Sequence, residues 1–206
     1  LWNIKLKIEA LPIPGADLFC DSFLHYFNNL TPALLPNEMM DAGKKYDHHI
    51  AMTVGEFGGG ELDRIMKRMD EFQKANQGKV EVQECKNDGE EMSITAFRFV
   101  AAPAFRTYCV GENIQGFSVD YALPKNGGLA PLLSDEDAEG GNHPVPVKRM
   151  RYSHFGCNVV HEDLAFDLDA DVHAIHMDLK KNVRATGGSL PAEHGHGTEY
   201  NAPKPS

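Results

Sequence analysis

The stretch KRMRYSHFGCNVVHEDLAF, residues 148–166, reads as a long strand with a glycine, Gly156, near its centre. A glycine inside a strand pattern marks a bulge, and a bulge reverses the alternation of side chains between the two faces. That matters for His154 and His161, which stand seven apart and would fall on opposite faces of a regular strand. With the one-residue correction at Gly156, both imidazoles point to the same side.

Working outward, GFSVDYALP (116–124) alternates in the same way and ends at a proline. Residues 125–147 between the two hold four glycines, three prolines and the acidic run SDEDAEG, and read as an exposed, mobile loop. On the C-terminal side, Asp169 or Asp171 starts a helix with Val172, Ile175, Leu179 and Val183 on one stripe, and Gly187-Gly188 stops it. The last segment, SLPAEHGHGTEYNAPKPS, reads as one brief strand followed by loop.

Upstream, Leu18, Phe19, Phe23, Phe27 and Leu30 take helical spacing behind Asp17 as N-cap, until Pro32 and Pro36 break the pattern. A short helix follows over 37–45, then a strand over HHIAMTVGE (48–56). ELDRIMKRMDEFQKAN (61–76) is an amphipathic helix with Gly78 beyond it, and KVEVQEC (79–85) alternates as a strand. Asn87 or Asp88 caps a further helix over 90–105. Helices separated by hairpin-like strand pairs, without a regular βαβ repeat, give an α+β fold: an antiparallel sheet with helices packed on one face.

Composition bounds the rest. The chain has 206 residues, 30 acidic against 20 basic, for a formal charge of −10. Nucleic acid and an anionic lipid surface both need clustered Lys and Arg, so neither is expected as the main partner. Hydrophobic residues at 42% and charged residues at 24% exclude wholesale disorder. No run of about 18 apolar residues marks a membrane span. The opening, LWNIKLKIEALPIPG, begins with Leu and lacks signal-peptide features, so the chain is expected to be a piece of a longer protein. Cys20, Cys85, Cys109 and Cys157 show no paired spacing, which fits a reducing, cytoplasmic compartment.

Seven of the ten histidines lie between residues 143 and 196. His154, His161 and Glu193, converging from separate segments, would make an open site for Zn²⁺ or Mn²⁺, with the adjacent His194 placed to take a proton. The same residues serve equally as half-buried strand histidines and a polar loop. His48 and His49 point to opposite faces of their strand, and His173 and His176 share a helix face at i, i+3. Arg98 and Arg106 flank the stretch FRFVAAPAFRTY; either suits a substrate carboxylate, and either suits a surface ion pair. The glycines at 58–60 lack the strand and lysine context of a phosphate cradle.

The segments YDHHIAM (46–52), FRFVAAPAFRTY (97–108), YSHFGCNVVHED (152–163) and PAEHGHGTEYNAPK (191–204) together resemble the C-terminal region of the quinone-dependent respiratory D-lactate dehydrogenases. These are FAD-linked oxidases of the vanillyl-alcohol-oxidase type. The resemblance implies a ferredoxin-like cap domain over 47–206, led by a helical segment over 1–46 at the position of the family's membrane-associated region. It implies that FAD is held mainly by a separate N-terminal domain, that D-lactate is oxidised to pyruvate, and that electrons pass to quinone. Such an enzyme sits in the cytoplasm or peripherally on the inner membrane, and this piece alone is expected to be inactive. His154 and His161 match the family's H-x6-H ligands and Glu193 the acid of its EHG element, so these three would hold a divalent metal. His194 would be the base, and Arg106, then Arg98, would bind the substrate carboxylate.

Two departures accompany the resemblance. Cys157, Asn158 and Val159 stand where the wider superfamily has Asp-Gly-Asn. Residues 1–50 carry four lysines and no arginine against six acids, so electrostatic docking by that segment is not expected. The competing expectations are a stand-alone binding or oligomerisation module, and the same scaffold acting on glycolate or 2-hydroxyglutarate.

Overall fold

An alternating segment becomes a strand only where a partner completes its hydrogen-bond ladder, and this decides which of the expected strands exist. The computed structural model describes residues 2–30, 33–124, 143–153 and 158–190. Helices α1 (Trp2–Glu9), α2 (Ala16–Tyr26), α3 (Asn37–Lys45), α4 (Glu61–Ala75) and α5 (Asp88–Glu112) precede strands β1 (Gln115–Ala122), β2 (Lys148–Ser153) and β3 (Val159–Phe166). Helix α6 (Val172–Ala185) closes the described part of the chain, and a 3-10 turn covers Asn28–Leu30. The protein is α+β, as its pattern predicts. The chain divides into two units, one of Leu1–Asn28 with Ala102–Ser206 and one of Asn29–Ala101.

In the first unit the sheet is antiparallel with strand order β1-β3-β2. The single long strand read over 148–166 is in fact two strands: β2 and β3 run antiparallel, with Tyr152 opposite His161 and Ser153 opposite Val160. Gly156, and with it the expected bulge, lies outside the described residues. Both arms of a hairpin alternate, so the period alone did not separate one strand from two. Opposite-facing alternation then sorts the sheet residues. Val119, Tyr121, Val160, Leu164 and Phe166 form one core with Ile175, Leu179 and Val183 of α6, and Phe117 packs against it. Burial of each of those α6 side chains stabilises by roughly 1.5–3 kcal/mol.

On the opposite face, Ala165 packs with Phe105 and Cys109 of α5, and Tyr108, Ile114 and Met150 pack around them, so helices cover both faces of the sheet and not the one face expected. Gly116 makes this approach possible, because a Cβ there would lie 2.8 Å from the Phe105 ring and 2.7 Å from the Leu164 carbonyl. Helix α6 starts as expected, with the Asp171 side chain accepting from the Ala174 N–H at 3.0 Å, and Gly187 follows it at φ +80°. The brief terminal strand is a single bridge between Ser189 and Ala122.

In the second unit, residues 48–56 and 79–85 are not strands. Neither finds a ladder partner, and Ile50, Met52 and Phe57 remain 71%, 54% and 90% exposed. Side chains bond the second segment instead: the Gln73 amide oxygen accepts from the Val82 N–H at 2.9 Å, and Lys45 meets Glu81 at 2.9 Å. Glycines 58–60 wrap an internal anion. The Glu56 carboxylate accepts N–H bonds from Gly58, Gly60 and Leu62 at the start of α4. The Leu62 N–H bond, with the Glu61 side chain, pulls the Glu56 carboxyl down to about 2. Helix α5 is capped by Asn87, whose side chain accepts from the Glu90 N–H at 3.1 Å, and continues through Pro103 to Glu112, seven residues beyond its expected end.

Candidate functional site

β3 is the central strand, so its side chains lie between two neighbours on either face. On the face away from α6, the register sets Asp120 of β1, His161 of β3 and Tyr152 of β2 in one row. The next row, two residues along, holds Ser118, Asp163 and Met150. This face is therefore polar at one end and closed at the other by Phe105 and Cys109 of α5.

The polar end is braced by side-chain bonds. The Tyr152 ring lies against the His161 ring, with centroids 5.5 Å apart and planes 26° from parallel. The Tyr152 hydroxyl donates to Asp163 Oδ2 at 2.8 Å, and the Ser118 hydroxyl donates to Asp163 Oδ1. Asp163 is only 1% exposed, and hydroxyls rather than cations make its hydrogen bonds. Burial, then the bond to Asp163, pushes the Tyr152 phenol up, so it stays protonated as a donor throughout the physiological range. Burial, and to a lesser degree the Asp163 charge, also raises the Cys109 thiol. His161 is thus a half-buried imidazole whose ring is fixed by a tyrosine that is itself tied down.

The other face of β3 treats its carboxylate differently. Glu162, 1% exposed, receives Arg149 Nε, Arg151 Nη2 at 3.0 Å and the Tyr121 hydroxyl at 3.0 Å. Burial and the Glu162 charge raise the fully buried Tyr121 phenol well above its ordinary value. A carboxylate paired with two guanidinium groups holds β2 to β3, which is a structural task.

Of the expected site residues, His161 stands in the polar row described above. His154, Glu193 and His194 lie outside the described residues. Arg98 belongs to α5, and its side chain is likewise outside. Arg106, on α5, points its Nε at Asp21 Oδ2, 3.0 Å away, and its Nη2 lies 3.9 Å from Glu9. A substrate carboxylate at Arg106 would share that guanidinium with two acids. Among the described residues, no group of three or more His, Cys, Asp and Glu side chains is placed to hold a metal ion.

His173 and His176 do not act together: His173 is exposed, while His176 stacks on Phe117 with centroids 4.5 Å apart. His49 touches the Ala42 carbonyl at 3.4 Å and is exposed, as is His48. Sequence reasoning overlooked Ser118, Tyr152 and Asp163. The signal available was an acid, Asp163, at an alternating position inside an otherwise apolar run, which burial permits only with hydrogen-bond partners.

Comparison with known proteins gives this geometry its context. The chain matches the family described as D-lactate dehydrogenase, membrane binding, over residues 1–206. It is 30% identical over 198 residues to a quinone-dependent D-lactate dehydrogenase of Corynebacterium glutamicum, covering 93% of this chain and 33% of that protein. Its identity to the enzyme of the same name from Escherichia coli is 29% over 195 residues, 90% of this chain and 31% of that protein. For the Haemophilus influenzae enzyme of that name the identity is 26% over 216 residues, covering 98% and 35%. The chain spans about a third of the length of these relatives.

Proposed function

This chain belongs to the D-lactate dehydrogenase membrane-binding family, and from that premise we propose that it forms the substrate-side and membrane-facing part of an FAD-dependent D-lactate dehydrogenase that delivers electrons to quinone. The observation that carries the reading is similarity along nearly the whole chain to proteins named for that activity. The braced imidazole of His161 supports it, because Tyr152, itself tied to Asp163, fixes the plane of that ring.

Oxidation of D-lactate to pyruvate removes a proton from the hydroxyl and a hydride from C2. In this reading His154, His161 and Glu193 would hold a divalent ion, which would supply polarisation of the substrate oxygens, and a flavin bound by the rest of the enzyme would supply the hydride acceptor. His194 takes the hydroxyl proton. Arg106, with Arg98 as the second candidate, binds the carboxylate, and for Arg106 that requires displacing or sharing its contacts to Asp21 and Glu9. The sheet contributes rigidity: His161 sits on the central strand, where both neighbours fix its backbone.

The test is turnover of D-lactate by the full-length protein with a quinone analogue and with a soluble dye, alongside glycolate and 2-hydroxyglutarate. The expected result is D-lactate turnover that falls ~10²–10⁴-fold in His194→Gln, the usual contribution of a general base, with the fold unchanged by circular dichroism. Near-normal turnover in that variant would remove His194 as the base. A wild-type enzyme indifferent to D-lactate would remove the function.

A further inference from the structure

Helix α2 is built with its polar side inward. Asp21, 2% exposed, accepts from the Lys5 ammonium of α1 at 2.9 Å and the Thr107 hydroxyl of α5 at 2.9 Å, and its Oδ2 forms an ion pair with Arg106 Nε 3.0 Å away. One turn on, His25 meets Glu112 at 3.1 Å and packs on Gly111, where any Cβ would collide with its ring. The outward face carries Phe19, Phe23 and Phe27 at i, i+4 and i+8, which are 57%, 49% and 48% exposed. Their rings line up, with centroids 6.4 Å and 4.9 Å apart. Leu11 and Ile13 in the preceding turn and Leu18 and Leu24 on the helix are exposed as well. A row of exposed rings of this kind marks a surface that meets something apolar.

The nature of that partner follows from three facts. The family is described as membrane binding, and the match includes this segment. Among the described residues, no helix is long and apolar enough to cross a membrane, so attachment by them is at the interface. Residues 1–28 contain two lysines against three acids, and Lys5 is already bound to Asp21 and Glu9. Attraction of anionic headgroups by basic charge therefore has almost nothing to work with here, whereas aromatic side chains are favoured at the headgroup boundary.

We propose that α2 lies in the plane of a lipid bilayer with Phe19, Phe23 and Phe27 inserted below the headgroups, and that this apolar face, not basic charge, attaches the protein. The proposal rests on the membrane-binding reading of the family and adds the place and the force. The inward ion pairs of Asp21 and His25 keep the helix from rolling.

The experiment uses the full-length protein, sedimentation with phosphatidylcholine vesicles and with vesicles containing phosphatidylglycerol, and low and high salt. Binding to neutral vesicles that changes little with salt is expected. The variant Phe19→Ser/Phe23→Ser/Phe27→Ser should bind at least ~10-fold more weakly while still turning over D-lactate with a soluble dye. Binding that needs anionic lipid and vanishes in high salt would overturn the proposal, as would a triple variant that binds like the wild type. Loss of flavin or of dye-linked turnover in the triple variant would also overturn it, by showing that the face packs against the rest of the protein. A wild type that binds no vesicle would remove the membrane-binding reading itself, leaving dye-linked D-lactate turnover to be judged separately. The single variant Phe23→Trp, which keeps an aromatic ring at an exposed site, supplies an independent readout. Quenching of its added fluorescence by brominated lipid is expected, and its absence would overturn the insertion.

Discussion

Helices α2 and α6 are of similar length and belong to the same unit, yet they solve opposite problems. α6 buries Ile175, Leu179 and Val183 against the sheet and turns His173, Asp178 and Lys181 to solvent. α2 buries Asp21 and leaves three phenylalanines outside. A helical period states only that one side of a helix differs from the other. Which side is inward depends on what the neighbours offer: β1 and β3 offer α6 an apolar floor, while α1 and α5 offer α2 a lysine, an arginine and a threonine.

The comparison is broken most severely by truncating the inward residue of α6. Leu179→Ala opens a cavity at a fully buried position and should cost ~2–5 kcal/mol, read as a shift of the urea midpoint. Next comes the inward residue of α2. Asp21→Asn keeps a group able to accept from Thr107 but removes one of the two acids that face Lys5 and leaves it Glu9, and should cost ~2 kcal/mol. Arg106 is more than half exposed, so its share of that figure is small.

The pH dependence of the Asp21 variant sharpens the point. Burial pushes the Asp21 carboxyl up, but the bonds from Lys5 and Thr107 and the nearby positive charges outweigh it and hold the group below its ordinary value. A carboxyl lowered on folding stabilises the protein fully above its unfolded pKa of about 3.9, and that stabilisation is lost as pH falls through the lower folded value. The stability gap between wild type and Asp21→Asn should therefore stay constant from about pH 5 to 7 and close on further acidification. A gap that widens toward acid would show that the ion pair does not set the inward face of α2.

The same contrast explains what the sequence disclosed. α6 was legible in its stripe and its glycine stop, and its cap was narrowed to Asp169 or Asp171, of which Asp171 serves, because all three signals are local. The helical character of α2 was legible, but its orientation was not, since the partners of Asp21 lie 16, 85 and 86 residues away. Strand alternation was read correctly at β1 and wrongly at 48–56 and 79–85, where the pattern exists and no partner does. At 148–166 alternation concealed a hairpin, and with it the row that brings Tyr152 beside His161. Ser118 and Asp163, 45 residues apart, met only through strand pairing. His154, Glu193 and His194 were singled out from the histidine cluster, but spacing left them open between metal site and ordinary polar residues, and only the family resemblance chose between the two.

The smallest effect on stability is expected on the outward face of α2, and it is the most instructive. Phe23→Ala removes a half-exposed ring that touches its neighbours Phe19 and Phe27, at a loss of about 0.5–1.5 kcal/mol if both contacts matter. Alanine returns roughly 0.5 kcal/mol through its better helix propensity. The net change in the urea midpoint should therefore correspond to less than about 1 kcal/mol, well below that of Leu179→Ala. If the two variants were equally damaging in the isolated protein, the outward rings would be part of the core, and the two helices would no longer differ in kind. A small stability change together with a large loss of vesicle binding is the signature of a face selected for an external apolar phase, because residues kept for the fold alone cannot separate those two measurements.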